Sequence, residues 1–161
     1  MQMPEERLVQ LLAEKKWTVT TAESCTGGLI AGTIINVAGA SDVLNEGYVT
    51  YSNEAKMRLV NVSESSLEAF GAVSEQVARE MAEGAANAAS SNMALSATGI
   101  AGPGGGTAEK PVGLVYIGCT LNGLTKVKEC HFNGTRTENR MHTVEEVLKL
   151  AIDMIEESVE K

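Results

Sequence analysis

Apolar residues recur at helical spacing from Glu5 to Lys16, where Leu8, Leu11 and Leu12 share one side. Trp17-Thr18-Val19-Thr20 is β-branched or aromatic and predicts a strand. An apolar helical pattern follows from Leu29 to Val37, ending at Ala38-Gly39-Ala40-Ser41. Gly47 to Tyr51 predicts a second strand bounded by Ser52-Asn53, and a helix opens at Asn53 and runs to about Val60. Ser65 and Glu68 have the spacing of a capping box for a short helix closed by Gly71. Ser74 predicts the cap of a longer, alanine-rich helix, Glu75 to about Ser90, packed through Val77, Met81 and Ala85. Met93 to Thr98 predicts a third strand running into the glycine-rich loop Gly99 to Gly106. Leu114–Thr120 and Leu124–Phe132 predict a hairpin around Asn122-Gly123. The last helix is predicted from about Thr137 to Glu160, with Met141, Val144, Leu148, Ala151, Ile155 and Val159 as its apolar stripe. Strands alternating with helices, plus a hairpin, predict one three-layer α/β/α domain over residues 1–161, with a mixed β-sheet.

Composition narrows what such a domain does. Of 161 residues, 43% are hydrophobic but only 4% aromatic, so the core must be aliphatic. The formal net charge of −8 opposes a nucleic-acid surface, which needs stripes of Lys and Arg. A small phosphorylated ligand held by two or three local cations is compatible with that charge. No signal peptide is visible at the start, and no apolar run reaches membrane-spanning length. Cys25, Cys119 and Cys130 are odd in number with no CxxC spacing, as expected of free thiols in a reducing cytoplasm. His131 and His142 lie far apart and near no acidic cluster, so a metal site is not expected. The alanine-rich helix suits a core position or a contact with a second copy, so a homo-oligomer is possible.

Candidate chemistry gathers at Thr20-Thr21-Ala22-Glu23-Ser24-Cys25-Thr26-Gly27-Gly28, where a strand ends and a helix begins. Such a corner leaves backbone N–H groups with the positive end of a helix dipole behind them. It can serve as a plain helix cap, hold an anion, or stabilise an oxygen that must become one. Ser24 is the best-placed nucleophile. Cys25 is its rival, since a helix terminus would lower its pKa, although cysteine hydrolases usually need a nearby histidine. Three cations sit at predicted helix N-termini, where cations cost a few tenths to about 1 kcal/mol. They are Lys56, Arg136 and Arg140. The two arginines, four apart on one face, suit a phosphate. Lys56 suits a general base: held neutral near pH 7, about three units below its reference value, it carries a cost of about 4 kcal/mol. A neutral Lys56 taking the Ser24 proton would make a Ser/Lys dyad. The loop Gly99-Ile100-Ala101-Gly102 matches neither a Walker A loop nor a dinucleotide fingerprint, but it follows a buried strand ending in Thr98, where ligands of α/β sheets bind.

Four ordered motifs closely resemble the CinA C-terminal domain family, which includes the nicotinamide mononucleotide deamidases. They are Ala22 to Gly28, Tyr51-Ser52-Asn53-Glu54-Ala55-Lys56, Gly99-Ile100-Ala101-Gly102-Pro103 with Gly105-Gly106, and Lys110-Pro111-Val112-Gly113. The resemblance implies hydrolysis of the carboxamide of nicotinamide mononucleotide to nicotinic acid mononucleotide and ammonia, with no metal or organic cofactor. It places the nucleophile on Ser24, the base on Lys56, and supporting hydroxyls on Tyr51 and Thr98. Cys25, Thr26, Gly27, Gly28, Gly99, Ile100, Ala101 and Gly102 are expected to bind substrate and receive the oxyanion, and Arg136 or Arg140 the phosphate. Longer family members carry an additional N-terminal domain, for which this length has no room. A non-catalytic mononucleotide-binding module of the same fold is the alternative.

Overall fold

The computed structural model describes residues 1–159, and the predicted helix end at Glu160 lies outside them. The elements run α1 (Pro4–Lys15), β1 (Val19–Glu23), α2 (Leu29–Ile34), a 3₁₀ turn (Ala40–Asp42), β2 (Tyr48–Val49) and α3 (Asn53–Val60). Then come α4 (Glu64–Phe70), α5 (Glu75–Ala89), β3 (Met93–Gly99), β4 (Leu114–Leu121), β5 (Leu124–His131) and α6 (Arg136–Val159). The five strands form one mixed sheet in the order β2-β1-β3-β4-β5. β1 runs parallel to β2 and β3, whereas β4 and β5 are antiparallel additions.

Period-two alternation sorts each strand's residues between the two helical layers. Met93, Leu95 and Ala97 of β3 join the large aliphatic core beneath α1, α2 and α6. Ala94 and Ala22 face the smaller core of Val60, Leu67, Val77, Met81 and Ala85, under α3, α4 and α5. The three-layer arrangement therefore follows from the strand pattern. Among the described residues no helix is long and apolar enough to cross a membrane.

Several boundaries differ from expectation for local reasons. β1 begins at Val19 and continues to Glu23, because the whole segment pairs with β3 from Val19↔Met93 to Glu23↔Ala97. α2 ends at Ile34, where Asn36 and Val37 turn back onto Thr33 and Ile34 through i→i−3 bonds. α4 is capped by Ser63, whose Oγ accepts from the Ser66 N–H, and not by the predicted Ser65/Glu68 pair. The Ser63 N–H, which a capping-box Glu would take, goes to Glu80 of α5 at 2.9 Å. The reciprocal box sits instead at the start of α6. There Glu138 N–H donates to Thr135 Oγ1 at 3.2 Å, and Thr135 N–H to Glu138 Oε1 at 2.9 Å. At the hairpin, Asn122 and Gly123 both take positive φ, as a two-residue primed turn requires.

Gly84 carries a testable consequence of this packing. In an exposed helix, Gly→Ala gains about 1 kcal/mol. Here α5 lies so close to α3 that a Cβ at Gly84 would fall on the Val60 carbonyl. Gly84→Ala should therefore destabilise by about 1–3 kcal/mol. The melting temperature would drop roughly 2–10 °C, whereas a rise would show that the helices part freely.

Candidate active site

The carboxyl ends of three parallel strands converge on one cleft of about 280 Å³. Ser24 and Cys25 follow β1, Tyr51 follows β2, and Thr98 and Gly99 close β3. The Ser24 N–H donates to Ala97 O at 2.9 Å, extending the β1–β3 ladder by one residue and fixing the backbone there. Ser24 follows the even register of Ala22, toward the α3–α5 layer, while Cys25 joins the opposite core.

Lys56 stands in the first turn of α3 and is only 1% exposed. Its Nζ lies 3.2 Å from Ser24 Oγ, 3.0 Å from the Thr50 carbonyl and 3.4 Å from the Tyr51 carbonyl. No carboxylate pairs with it among the described residues. Burial disfavours the ammonium form and lowers its pKa from the ordinary 10.5. A neutral amine has two N–H donors and one lone pair. Two backbone carbonyls match the donors, and the Ser24 hydroxyl faces what is left. Thr50, a buried residue that sequence did not single out, is itself held by its N–H to Glu23 O at 2.8 Å.

Cys25 behaves contrary to expectation. Desolvation outweighs the turn's N–H groups and nearby cations, and its thiol is pushed up to about 12. It lines the cleft as a protonated thiol, not an activated thiolate. The N-terminus of α2 is also spoken for. The buried Glu23 carboxylate accepts from Ile30 N–H at 2.7 Å and Ala31 N–H at 3.0 Å, so those groups are closed to a ligand. Gly27 N–H is likewise engaged, by Ser24 O. Among the described residues, Thr26, Ala101 and Gly102 N–H groups have no protein acceptor.

Other expected residues separate into those at the cleft and those beside it. Thr98, Gly99, Ile100, Ala101 and Gly102 line it, as does Arg136. Thr98 Oγ1 donates to Ala72 O at 2.9 Å, so its proton is committed to the wall. Tyr51 is 65% exposed, and its hydroxyl faces Arg136 at 3.4 Å; its carbonyl, not its hydroxyl, meets Lys56. Thr26, Gly27 and Gly28 form the turn behind Ser24 and do not line the cleft. Arg140 is off the cleft as well. Its Nε and Nη2 donate to the carbonyls of Cys25 and Thr26, at 2.9 and 3.2 Å. His131 meets Glu129 at 2.8 Å on the outer strand, and His142 packs on Phe132, both away from the cleft.

A family model described as the CinA C-terminal domain matches residues 1–155. A competence-damage inducible protein of Clostridium perfringens is 57% identical over 144 residues, 89% of this chain and 35% of that protein. One from Clostridium acetobutylicum is 52% identical over 144 residues, with the same shares. The chain thus spans about a third of the length of these curated relatives. Among solved structures, the competence/damage inducible protein CihA of Agrobacterium tumefaciens superposes with a TM-score of 0.91 at 45% identity, covering 93% of this chain and 92% of that one. A CinA superfamily protein of Klebsiella pneumoniae gives 0.92 at 30% identity, covering 97% and 99%.

Proposed function

The chain belongs to the CinA C-terminal domain family, and from that premise we propose that it is an amidohydrolase that removes ammonia from nicotinamide mononucleotide. The observation that carries this proposal is the buried Lys56 amine, 3.2 Å from Ser24 Oγ and held by two carbonyls. In the proposed reaction Lys56, neutral, takes the Ser24 proton as the oxygen attacks the carboxamide carbon. The carbonyl oxygen becomes an oxyanion, received by backbone N–H groups of the Ser24 turn and the Gly99–Gly102 loop. Lys56, now an ammonium, returns the proton to the departing ammonia. Water, deprotonated by the same amine, then cleaves the nicotinoyl ester. The Thr50 and Tyr51 carbonyls accept from Lys56 in both protonation states, so little around it must reorganise.

Arg136 is the phosphate partner on this proposal, because it lines the cleft and commits only Nη1 to a carbonyl, that of Gly102, whereas Arg140 lies off the cleft with Nε and Nη2 both on carbonyls. Arg136→Ala should raise the KM for nicotinamide mononucleotide roughly tenfold or more, the scale of a lost charge-assisted contact. Turnover of the riboside, which lacks the phosphate, should change far less. Equal losses on both substrates would remove Arg136 from phosphate binding. The overall activity is tested by ammonia release from nicotinamide mononucleotide with purified protein. Sustained release is expected, and none at saturating substrate would leave the non-catalytic binding module in its place.

A further inference from the structure

One turn of α6 reaches both walls of the cleft. Arg136, Asn139 and Arg140 stand at i, i+3 and i+4, on one face. Arg140 donates to the Cys25 and Thr26 carbonyls at 2.9 and 3.2 Å. Asn139 Nδ2 donates to Ala101 O at 3.0 Å, and Arg136 Nη1 to Gly102 O at 2.7 Å. Asn139 is fully buried, and its other amide atom accepts the Gly134 N–H at 2.9 Å. A buried amide with both ends hydrogen-bonded to backbone is satisfied, and it ties the two segments it joins in one fixed arrangement. The Thr135–Glu138 box keeps this turn from fraying.

The consequence comes from peptide planarity. Across a trans peptide the carbonyl and the following N–H point in opposite directions. Drawing the Cys25 and Ala101 carbonyls toward α6 turns the Thr26 and Gly102 N–H groups away from it. Both groups lack a protein acceptor among the described residues, and Gly102 lines the cleft. We propose that Asn139 and Arg140 are positioning residues: Asn139, holding the Ala101 carbonyl, aims the Gly102 N–H at the oxyanion formed on Ser24 attack, and Arg140, holding the Cys25 and Thr26 carbonyls, fixes the turn that carries Ser24. The proposal rests on the hydrolase reading of Ser24 and Lys56. It also gives Arg140 a different task from the phosphate contact expected of it.

The test uses variants that keep bulk and alter only the donors. Arg140→Lys keeps the charge but loses the planar fork that spans two carbonyls. Asn139→Asp keeps an acceptor for Gly134 but presents oxygen where Nδ2 donated. Sites titrated with a fluorophosphonate give kcat per competent Ser24, which removes any misfolded fraction from the comparison. With nicotinamide mononucleotide as substrate, that kcat should fall about tenfold to a hundredfold, with KM within about threefold of wild type. Pyridine-3-boronic acid, whose tetrahedral adduct on Ser24 puts an oxygen in the oxyanion site, should weaken by a similar factor. Nicotinic acid mononucleotide, which forms no such adduct here, should bind as before. An unchanged kcat per titrated site, or a rise in KM at constant kcat, overturns the positioning role. A wild-type protein that releases no ammonia and takes no label at Ser24 instead removes the hydrolase reading, and the positioning role with it.

Discussion

Lys56→Met should give a folded protein with about a thousandfold less turnover and equal or greater stability. Methionine fills nearly the same volume, so the wall between α3 and the Ser24 turn stays packed. What disappears is a buried amine with no carboxylate partner among the described residues. Taking its cation out of water disfavours folding. The sign of the pH dependence follows from the lowered pKa. Between the folded value and the ordinary 10.5, the unfolded chain binds more protons at this position than the folded one. Wild-type stability should therefore rise with pH through that window, by up to about 1.4 kcal/mol per unit, and carry the full penalty below it. The methionine variant should lose that rise. Urea unfolding at neutral and mildly alkaline pH measures both, and a large loss of stability in the variant would contradict a buried amine whose charged form burial disfavours. Wild-type kcat/KM should fall with unit slope as pH drops below the Lys56 value, since protonation removes the base.

Ser24→Ala should abolish ammonia release, by about ten-thousandfold or more, while Cys25→Ala keeps kcat within about tenfold of wild type. The reason is register. Successive side chains leaving a strand point to opposite faces, so one of these neighbours meets Lys56 and the other enters the α2–α6 core. The Cys25 thiol, pushed up to about 12 by burial, carries almost no thiolate at neutral pH. Its replacement should cost about 1 kcal/mol of packing instead of activity. Activity lost in Cys25→Ala and kept in Ser24→Ala would reverse the assignment.

Much of this was legible in sequence because local signals carried it. The Asn122-Gly123 turn and the Ser74 cap each dictate their own geometry. Of the expected α6 stripe, Val144, Leu148, Ala151 and Ile155 are buried, whereas Met141 and Val159 are exposed and Val147 and Met154 join the core instead. The strand-to-helix corner at Ser24 reads by itself as a plain helix cap as well as a nucleophile's seat, and only the motifs further along the chain single it out. What stayed hidden depended on distant partners. Nothing local told that Glu23 would cap α2, that Glu80 would take the Ser63 N–H, or that Arg140 would reach back 115 residues to the Cys25 carbonyl. Thr50 and Asn139 act through a carbonyl and a buried amide, and neither task leaves a spacing pattern. Ser65-x-x-Glu68 and Thr135-x-x-Glu138 satisfy the same capping-box rule, and only the second forms the box. Tertiary contacts chose between them.

The most direct test is a rapid quench of the protein during turnover of nicotinamide mononucleotide, followed by tryptic digestion and tandem mass spectrometry. Cleavage after Lys16 and Lys56 releases one peptide holding both Ser24 and Cys25, and its fragment ions tell the two apart. A nicotinoyl ester on Ser24, absent from Ser24→Ala, is the predicted result. An adduct on Cys25, or steady ammonia release with Ser24 unmodified and replaceable by alanine, would contradict a serine nucleophile driven by Lys56.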